Sequence, residues 1–522
     1  MPSTLTNNIS VRNASDLVES IRADFSSFYI FYGRTYPWSD DQNPPVPENS
    51  IEEAYRAWHD MTAMKRIDFR DTNLGFRRVD WTSGVVYDEY RHDTDLSNKE
   101  YFVFTDENKV YKCISNNNGG ASTVKPTHTI TDITEKSDGY KWKYMFTLSD
   151  SLYRKFFAPG YLPVTTDETV VNNAIDGSIE NMYVVTPGTG YAPDSTIPVY
   201  IDGDGDENAS ARASITVDAN GSIVDATSAG MNPGSDYPYA PDSNIPVAFR
   251  QVNTTTGANQ TAYGTANTNA DGQIQDVTVV IGGSGYFEGE CQIVQSSCKG
   301  LAETDASGAV VNTYVDIGKS GKGFRKATAT VVGSSTSPAE VKPIISPRGG
   351  HGANPENELL CRYALLNLRF AYEEGEGDFT VGNDFRRIGL LYRPLAFGSN
   401  TDEPTNIGTL DAKYRLTLDT SNVSFSEDEA IIGQTSGARG LQIDLLNDNT
   451  LRVVRDDEIS NSIDFEIGET IRGSNSGELA TITEIISPEV EPYSGQVLFI
   501  NNREPIDRSS DQIESITLVM EY

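Results

Sequence analysis

Along most of this chain apolar positions recur with a period of two. The clearest case runs from 140 to 147, where Tyr140, Trp142, Tyr144 and Phe146 alternate with Lys141, Lys143, Met145 and Thr147. Alternation of this kind predicts a half-buried β-strand with its rings on one face. Asp138-Gly139 ahead of it supplies the turn, because glycine tolerates positive φ and aspartate bonds to its own backbone. Four large rings on one face ask for aromatic partners. The sequence offers them at both ends of the chain, so those ends are expected to pack with this strand. Shorter runs of the same type predict strands at 28–32, 76–81, 101–104, 109–114, 365–372, 383–392 and 513–522.

Helical spacing is rarer. Leu17, Ile21 and Phe25 recur at every fourth position and predict a helix over 13–26, with Asn13 or Ser15 as its cap. Ser50-Ile-Glu-Glu53 reads as a capping box opening a second helix that carries Ile51, Tyr55, Trp58 and Met61. Between the two lies a Pro- and Asp-rich loop, 39–47. The unit 1–165 is thus of mixed α+β type.

From about 175 to 340 the texture changes to Gly, Asn, Thr, Ser, Val and Ile, and a pattern repeats. Val184-Val-Thr-Pro-Gly-Thr-Gly-Tyr191 leads into Ala-Pro-Asp-Ser-Thr-Ile-Pro-Val199. Met231-Asn-Pro-Gly-Ser-Asp-Tyr237 leads, two residues on, into Ala-Pro-Asp-Ser-Asn-Ile-Pro-Val247, and the segments 280–286 and 317–324 are degenerate copies. Each unit reads as strand, glycine turn ending in an aromatic, strand, and such repeats predict stacked β modules. A second repeat, 425–437 echoed by 465–477, predicts a small β-domain over 421–489. The fold expected is mainly β with a few helices (α+β). A discontinuous core (1–165, 341–420 and 490–522) carries two inserted β-repeat domains, 175–340 and 421–489.

Length and charge narrow the function. A chain of 522 residues exceeds one ordinary core. A net charge of −34 argues against a nucleic-acid binder, which needs a basic footprint. No apolar run approaches the length of a membrane span. Cys113, Cys291, Cys298 and Cys361 form no CxxC pair and do not combine with the four histidines at zinc spacing. The glycine turns are not followed by helices, as a phosphate loop would require, and Thr313 stands where the first glycine before Gly318-Lys-Ser320 would belong. Asp202, Asp204 and Asp206 have calcium-loop spacing, but Glu207 and Ala213 replace the required glycine and glutamate. The loop Ser346-Pro-Arg-Gly-Gly-His-Gly352 holds the most suggestive histidine, His351, beside Arg348, yet no nucleophile or paired carboxylate is tied to it by a motif. No catalytic, cofactor or metal residue is assigned.

Five stretches together resemble the gene-product-8-type baseplate wedge subunit of T-even-like contractile-tailed phages. They are Phe31-Tyr-Gly-Arg-Thr-Tyr-Pro-Trp-Ser39, Asp138-Gly-Tyr-Lys-Trp-Lys-Tyr144, Asp384-Phe-Arg-Arg-Ile388, Asn502-Arg-Glu-Pro505 and the closing strand. The resemblance covers roughly half of the chain. The repeat-bearing middle departs from the shorter T-even form and looks like the long versions of cyanobacterial myoviruses. It implies a non-enzymatic virion protein, assembled in the host cytoplasm, that forms a homodimer and binds other baseplate wedge proteins, with no cofactor, nucleic acid or membrane partner. Tyr36 and Trp38, with Arg348 and His351, are the interface candidates, on the loops 39–49 and 346–357 or beside them. The alternatives are a trimeric receptor-binding or decoration fibre, and a β-solenoid polysaccharide-active enzyme using Asp194, Asp202 and Asp242.

Overall fold

The computed structural model describes residues 6–24, 27–251, 261–370, 384–399, 403–420, 422–426, 428–445, 449–455, 464–506 and 514–522. The chain is mainly β with a few short helices. It divides into two compact units, one of 1–75, 154–159 and 362–522, the other of 76–153 and 160–361.

In the first unit the leading helix is Asn7–Ala23, starting before the predicted 13, with Thr6 at its N-cap in place of Asn13 or Ser15. Val11, Ala14, Val18 and Ile21 make its buried stripe, and Phe25 falls outside the described residues. The main sheet joins distant segments. Strand Phe28–Gly33 pairs antiparallel with Met61–Arg66 on one side and Phe385–Tyr392 on the other, and the latter pairs with Gln496–Ile506. Phe31 stands opposite Gly389, where an added Cβ would lie 2.3 Å from its ring, so only glycine lets strand and ring approach this closely. A second ladder pairs Tyr363–Phe370 with 72–75 and with the closing strand Glu514–Glu521. The predicted strand ends at 371–372 and 383 lie outside the described residues.

The smaller repeat forms a closed six-stranded barrel in this unit, beginning with Tyr414–Leu418, ahead of the predicted boundary at 421. Ile431 pairs with Gly473 and Gly433 with Ile471, so the two repeats, forty residues apart, meet about a local two-fold axis at Ile432 and Arg472.

In the second unit, strand Lys141–Thr147 is buried on both faces, not one. Its four rings are covered as expected, but Met145 is fully buried and Lys143 is only 5% exposed. The lysine is tolerated because its ammonium donates to the Thr131 carbonyl. Trp142 packs against Tyr87, Tyr144 against Tyr111, and Phe146 against Phe76. These partners come from within 76–153, whereas the aromatic stretches at the chain's ends build the sheets of the first unit. The chain passes between the two units after 75, 153, 159 and 361.

The long repeat supplies twelve strands: β1 Ile179–Thr186, β2 Thr196–Gly203, β3 Glu207–Val217, β4 Ile223–Asn232, β5 Asp242–Arg250, β6 Ala262–Thr268, β7 Ile274–Ile281, β8 Gly289–Ser296, β9 Cys298–Thr304, β10 Val310–Ser320, β11 Ala327–Val331 and β12 Glu340–Ile345. One sheet has the order β4-β3-β8-β5-β6-β7 and the other β10-β9-β2-β11-β12-β1. Moving six strands along the chain, cyclically, converts the first order into the second. The four copies therefore do not stack one on the next. They exchange strands to make two equivalent sheets, and every pairing within those sheets is antiparallel.

The aromatic ending each glycine turn explains the repeat. The backbone N–H groups of Tyr191, Tyr237, Tyr286 and Phe324 donate to the carbonyls of Gly308, Gly272, Gly221 and Gly177, all of which have positive φ. Tyr237 also accepts the Ala211 N–H at 3.0 Å and donates to the Ile293 carbonyl at 2.8 Å, filling the irregularity where the β3–β8 register slips. Tyr286 does the same between Ala262 and Phe249.

Candidate functional site

Three of the five resemblance stretches meet around one pocket of about 640 Å³ in the first unit. Strand Phe28–Gly33 ends at Gly33, where a Cβ would collide with the Asp60 carbonyl, and the chain turns outward with Arg34 at positive φ. The turn sends Arg34, Tyr36 and Trp38 to the wall. The Arg34 guanidinium carbon lies 3.9 Å from the Tyr36 ring centre and 3.6 Å from that of Trp38, a cation–π contact with both. The Trp38 indole N–H donates to the Arg503 carbonyl at 3.1 Å, and the Tyr36 hydroxyl to Asp60 at 2.6 Å. Burial and the neighbouring Asp60 carboxylate push the Tyr36 pKa up, so it remains a donor.

The floor is ionic. Arg387 bonds Glu53 at 2.7 Å and Asn502 at 2.9 Å, and lies 3.1 Å from Asp60. All three charged groups are nearly inaccessible. Helix Ile51–Asp60 places both acids. Ser50 caps it by accepting the Glu53 N–H, but the Glu53 carboxylate serves Arg387, so the predicted capping box is only half made. Next along the strand, Arg386 points the other way and binds Asp41 through two bonds of 2.9 Å, with Asp384 at 2.8 Å. This ties the loop that follows Trp38 to the sheet. Asp428, Ala430, Arg439 and Leu441 of the barrel line the opposite wall, and Thr35 donates to Asp428 at 2.8 Å.

Among the described residues four arginines and four carboxylates thus line one pocket, in a chain with a large acidic excess. Both buried carboxylates are committed to ion pairs. The ion pairs fix the floor, and the Tyr36 and Trp38 rings pack on the Arg34 guanidinium at the wall. Tyr36 and Trp38 are half-buried there, and Pro45, Val46 and Glu48 of the loop 39–49 form part of the lining.

The other two candidates lie in the second unit. Arg348 is exposed. His351 is only 4% exposed and sits edge-on to Tyr90 at 5.0 Å, so the expectation of an interface histidine is corrected to a core one. Burial holds its pKa well below the usual value, with Lys112 and Lys143 adding to the effect. Beside it, Glu358 accepts from Gly352 and Asn354 and pairs with the fully buried Lys112 at 2.7 Å. The sequence reading missed Asp60, Arg387 and the Lys112–Glu358 pair as structural centres. Arg387 alone had a visible signal, the paired arginines inside an otherwise apolar strand.

The acids named for a polysaccharide-cleaving alternative are also accounted for. Asp202 pairs with Arg250, Asp242 with Lys299 and Lys319, and Asp194 lies in a turn at positive φ. Among the described residues there is no cluster of side chains placed to hold a metal ion, and no helix is long and apolar enough to cross a membrane. No family model and no curated protein matches the chain.

Proposed function

We propose that the chain is a structural subunit of a contractile phage tail baseplate, a wedge protein that forms a homodimer and joins neighbouring wedge proteins. The observation that carries this reading is the convergence just described. The stretches 31–39, 384–388 and 502–505, far apart in sequence and each resembling the wedge subunit, build one pocket. Residues shared by a family for catalysis would be expected to present a free acid, base or nucleophile. Here the buried ones are spent on arginines, which suits a shaped docking surface with aromatic anchors. The runner-up, a receptor-binding or decoration fibre, has no comparable observation behind it.

Light scattering of the purified chain tests the proposal. A dimer supports it, and a stable trimer overturns it in favour of a fibre. Cross-linking from a cysteine placed at Glu48 then checks the interface. Capture of baseplate proteins, lost in Trp38→Ala, is the expected result.

A further inference from the structure

A second polar pocket, of about 210 Å³, opens in the other unit between the sheet of 102–147 and the repeat strands. Its character differs from the first. Glu89, Lys141, Asn181, Glu303, Asn312 and Tyr314 bring amides, carboxylates, one ammonium and a ring to the same space. The carboxylates are held in place. The Asn181 amide donates to Glu89 and to the Ile114 carbonyl, both at 3.0 Å, and is itself 4% exposed. The Asn312 amide donates to Glu303 at 3.2 Å. Lys141 lies 3.9 Å from Glu135 and 5.9 Å from the Tyr314 ring centre. Behind them, Thr313 fixes the wall by donating to the Met182 carbonyl at 3.1 Å.

Fixed carboxylates that accept, an ammonium that donates and an aromatic ring in the lining match a molecule that alternates hydroxyls with C–H surface. Each hydroxyl of a sugar both donates and accepts, and its C–H face packs on an aromatic ring. The size fits one ring. At 210 Å³ the pocket is smaller than the roughly 300–1,000 Å³ that encloses a drug-sized ligand. The charge selects further, because Glu89, Glu135 and Glu303 outnumber Lys141. We propose that this pocket binds a single hexose-type unit of a glycan, neutral or carrying an amine, and rejects acidic sugars.

The test is saturation-transfer NMR on the full chain with glucose, galactose, mannose, glucosamine and glucuronate in turn. Transfer to at least one neutral or amino sugar, with none to glucuronate, is expected. Glu303→Gln and Tyr314→Ala, both at partly exposed positions, should each weaken that binding at least tenfold. Trp38→Ala, in the other unit, should leave it unchanged. Absence of transfer to all five sugars overturns the proposal. So does transfer that survives both pocket substitutions, and so does equal transfer to glucuronate.

Discussion

The Glu429 carboxylate accepts the Ser476 hydroxyl at 2.7 Å, and forty residues on the relationship is returned, Glu469 accepting from Ser436 at 2.9 Å. Each glutamate also takes two backbone N–H groups of the other repeat's turn, Asn475 and Ser476 for Glu429, Thr435 and Ser436 for Glu469. Each repeat thus closes the turn of its twin. Gly433 and Gly473 make room, since a Cβ at either would lie 2.6 Å from the carboxylate.

Losing one of these carboxylates leaves several part-buried donors without a charged acceptor. Glu429→Gln or Glu469→Gln should each destabilise the barrel by about 1.5–3 kcal/mol, the range for hydrogen bonds to charged groups. Burial raises both pKa values, but the hydrogen bonds outweigh it and the net shift is downward. A depressed folded pKa stabilises above the unfolded glutamate value, about 4.3, and that contribution is lost as pH falls through the folded pKa. Hydrogen exchange at the amides of 430–433, followed from pH 7 downward, measures both effects.

Tyr237→Phe removes a hydroxyl while keeping the ring. The Ala211 N–H and the Ile293 carbonyl then lose a partner in a buried site. A cost of about 1–3 kcal/mol is expected, read as a lower denaturation midpoint. Phe324, which has no hydroxyl, occupies the equivalent position in the fourth copy. Phe324→Leu should therefore cost packing only, with no loss of exchange protection at the neighbouring strand amides.

The strand patterns were legible because period two needs only local information. The four-copy repeat was visible for the same reason, through Tyr191, Tyr237, Tyr286 and Phe324. How the copies combine was not, since strand exchange depends on which backbone groups pair over long separations. The tight turns ending in Gly177, Gly221, Gly272 and Gly308 were the unread half of the repeat, each giving its carbonyl to one of those aromatics. Alternation also misjudged 140–147, because the second face of a strand can be covered by a loop that contributes little periodicity of its own. At the pocket, Tyr36 and Trp38 could be singled out as aromatics near a loop. Their dependence on Arg387 and Asp60 could not, because ion pairs across 26 and more residues leave no mark on sequence spacing.

His351 sets a pH dependence for the second unit. Its folded pKa lies well below 6.5, so between the two values the unfolded chain binds the extra proton. Stability should therefore rise with pH up to about 6.5 and fall below it, by at most about 1.4 kcal/mol per pH unit from this group. His351→Phe should flatten that part of the profile. Comparing chemical denaturation of the two proteins at pH 5 and pH 7.5 isolates the histidine from the carboxylates, which titrate in both.

Arg387 is the strongest test of how the pocket stands. It serves Glu53, Asp60 and Asn502 at once, and both acids are buried. Arg387→Met leaves two carboxylates in a site where Asp60 keeps the Tyr36 hydroxyl and Arg34, at 2.6 and 3.5 Å, and Glu53 keeps Arg56 at 3.9 Å. Removing one member of a buried ion pair costs about 3–5 kcal/mol, largely through the charge left behind. Arg387→Lys should recover little of this, because a single ammonium cannot reproduce a planar fork that meets three acceptors in different directions. Adding Glu53→Gln to Arg387→Met should recover part of the loss by removing one of the stranded charges. Denaturation midpoints of the three variants check this order. If Arg387→Lys matched the parent chain, the pocket floor would depend on net charge alone, and the geometry assigned to it would be wrong.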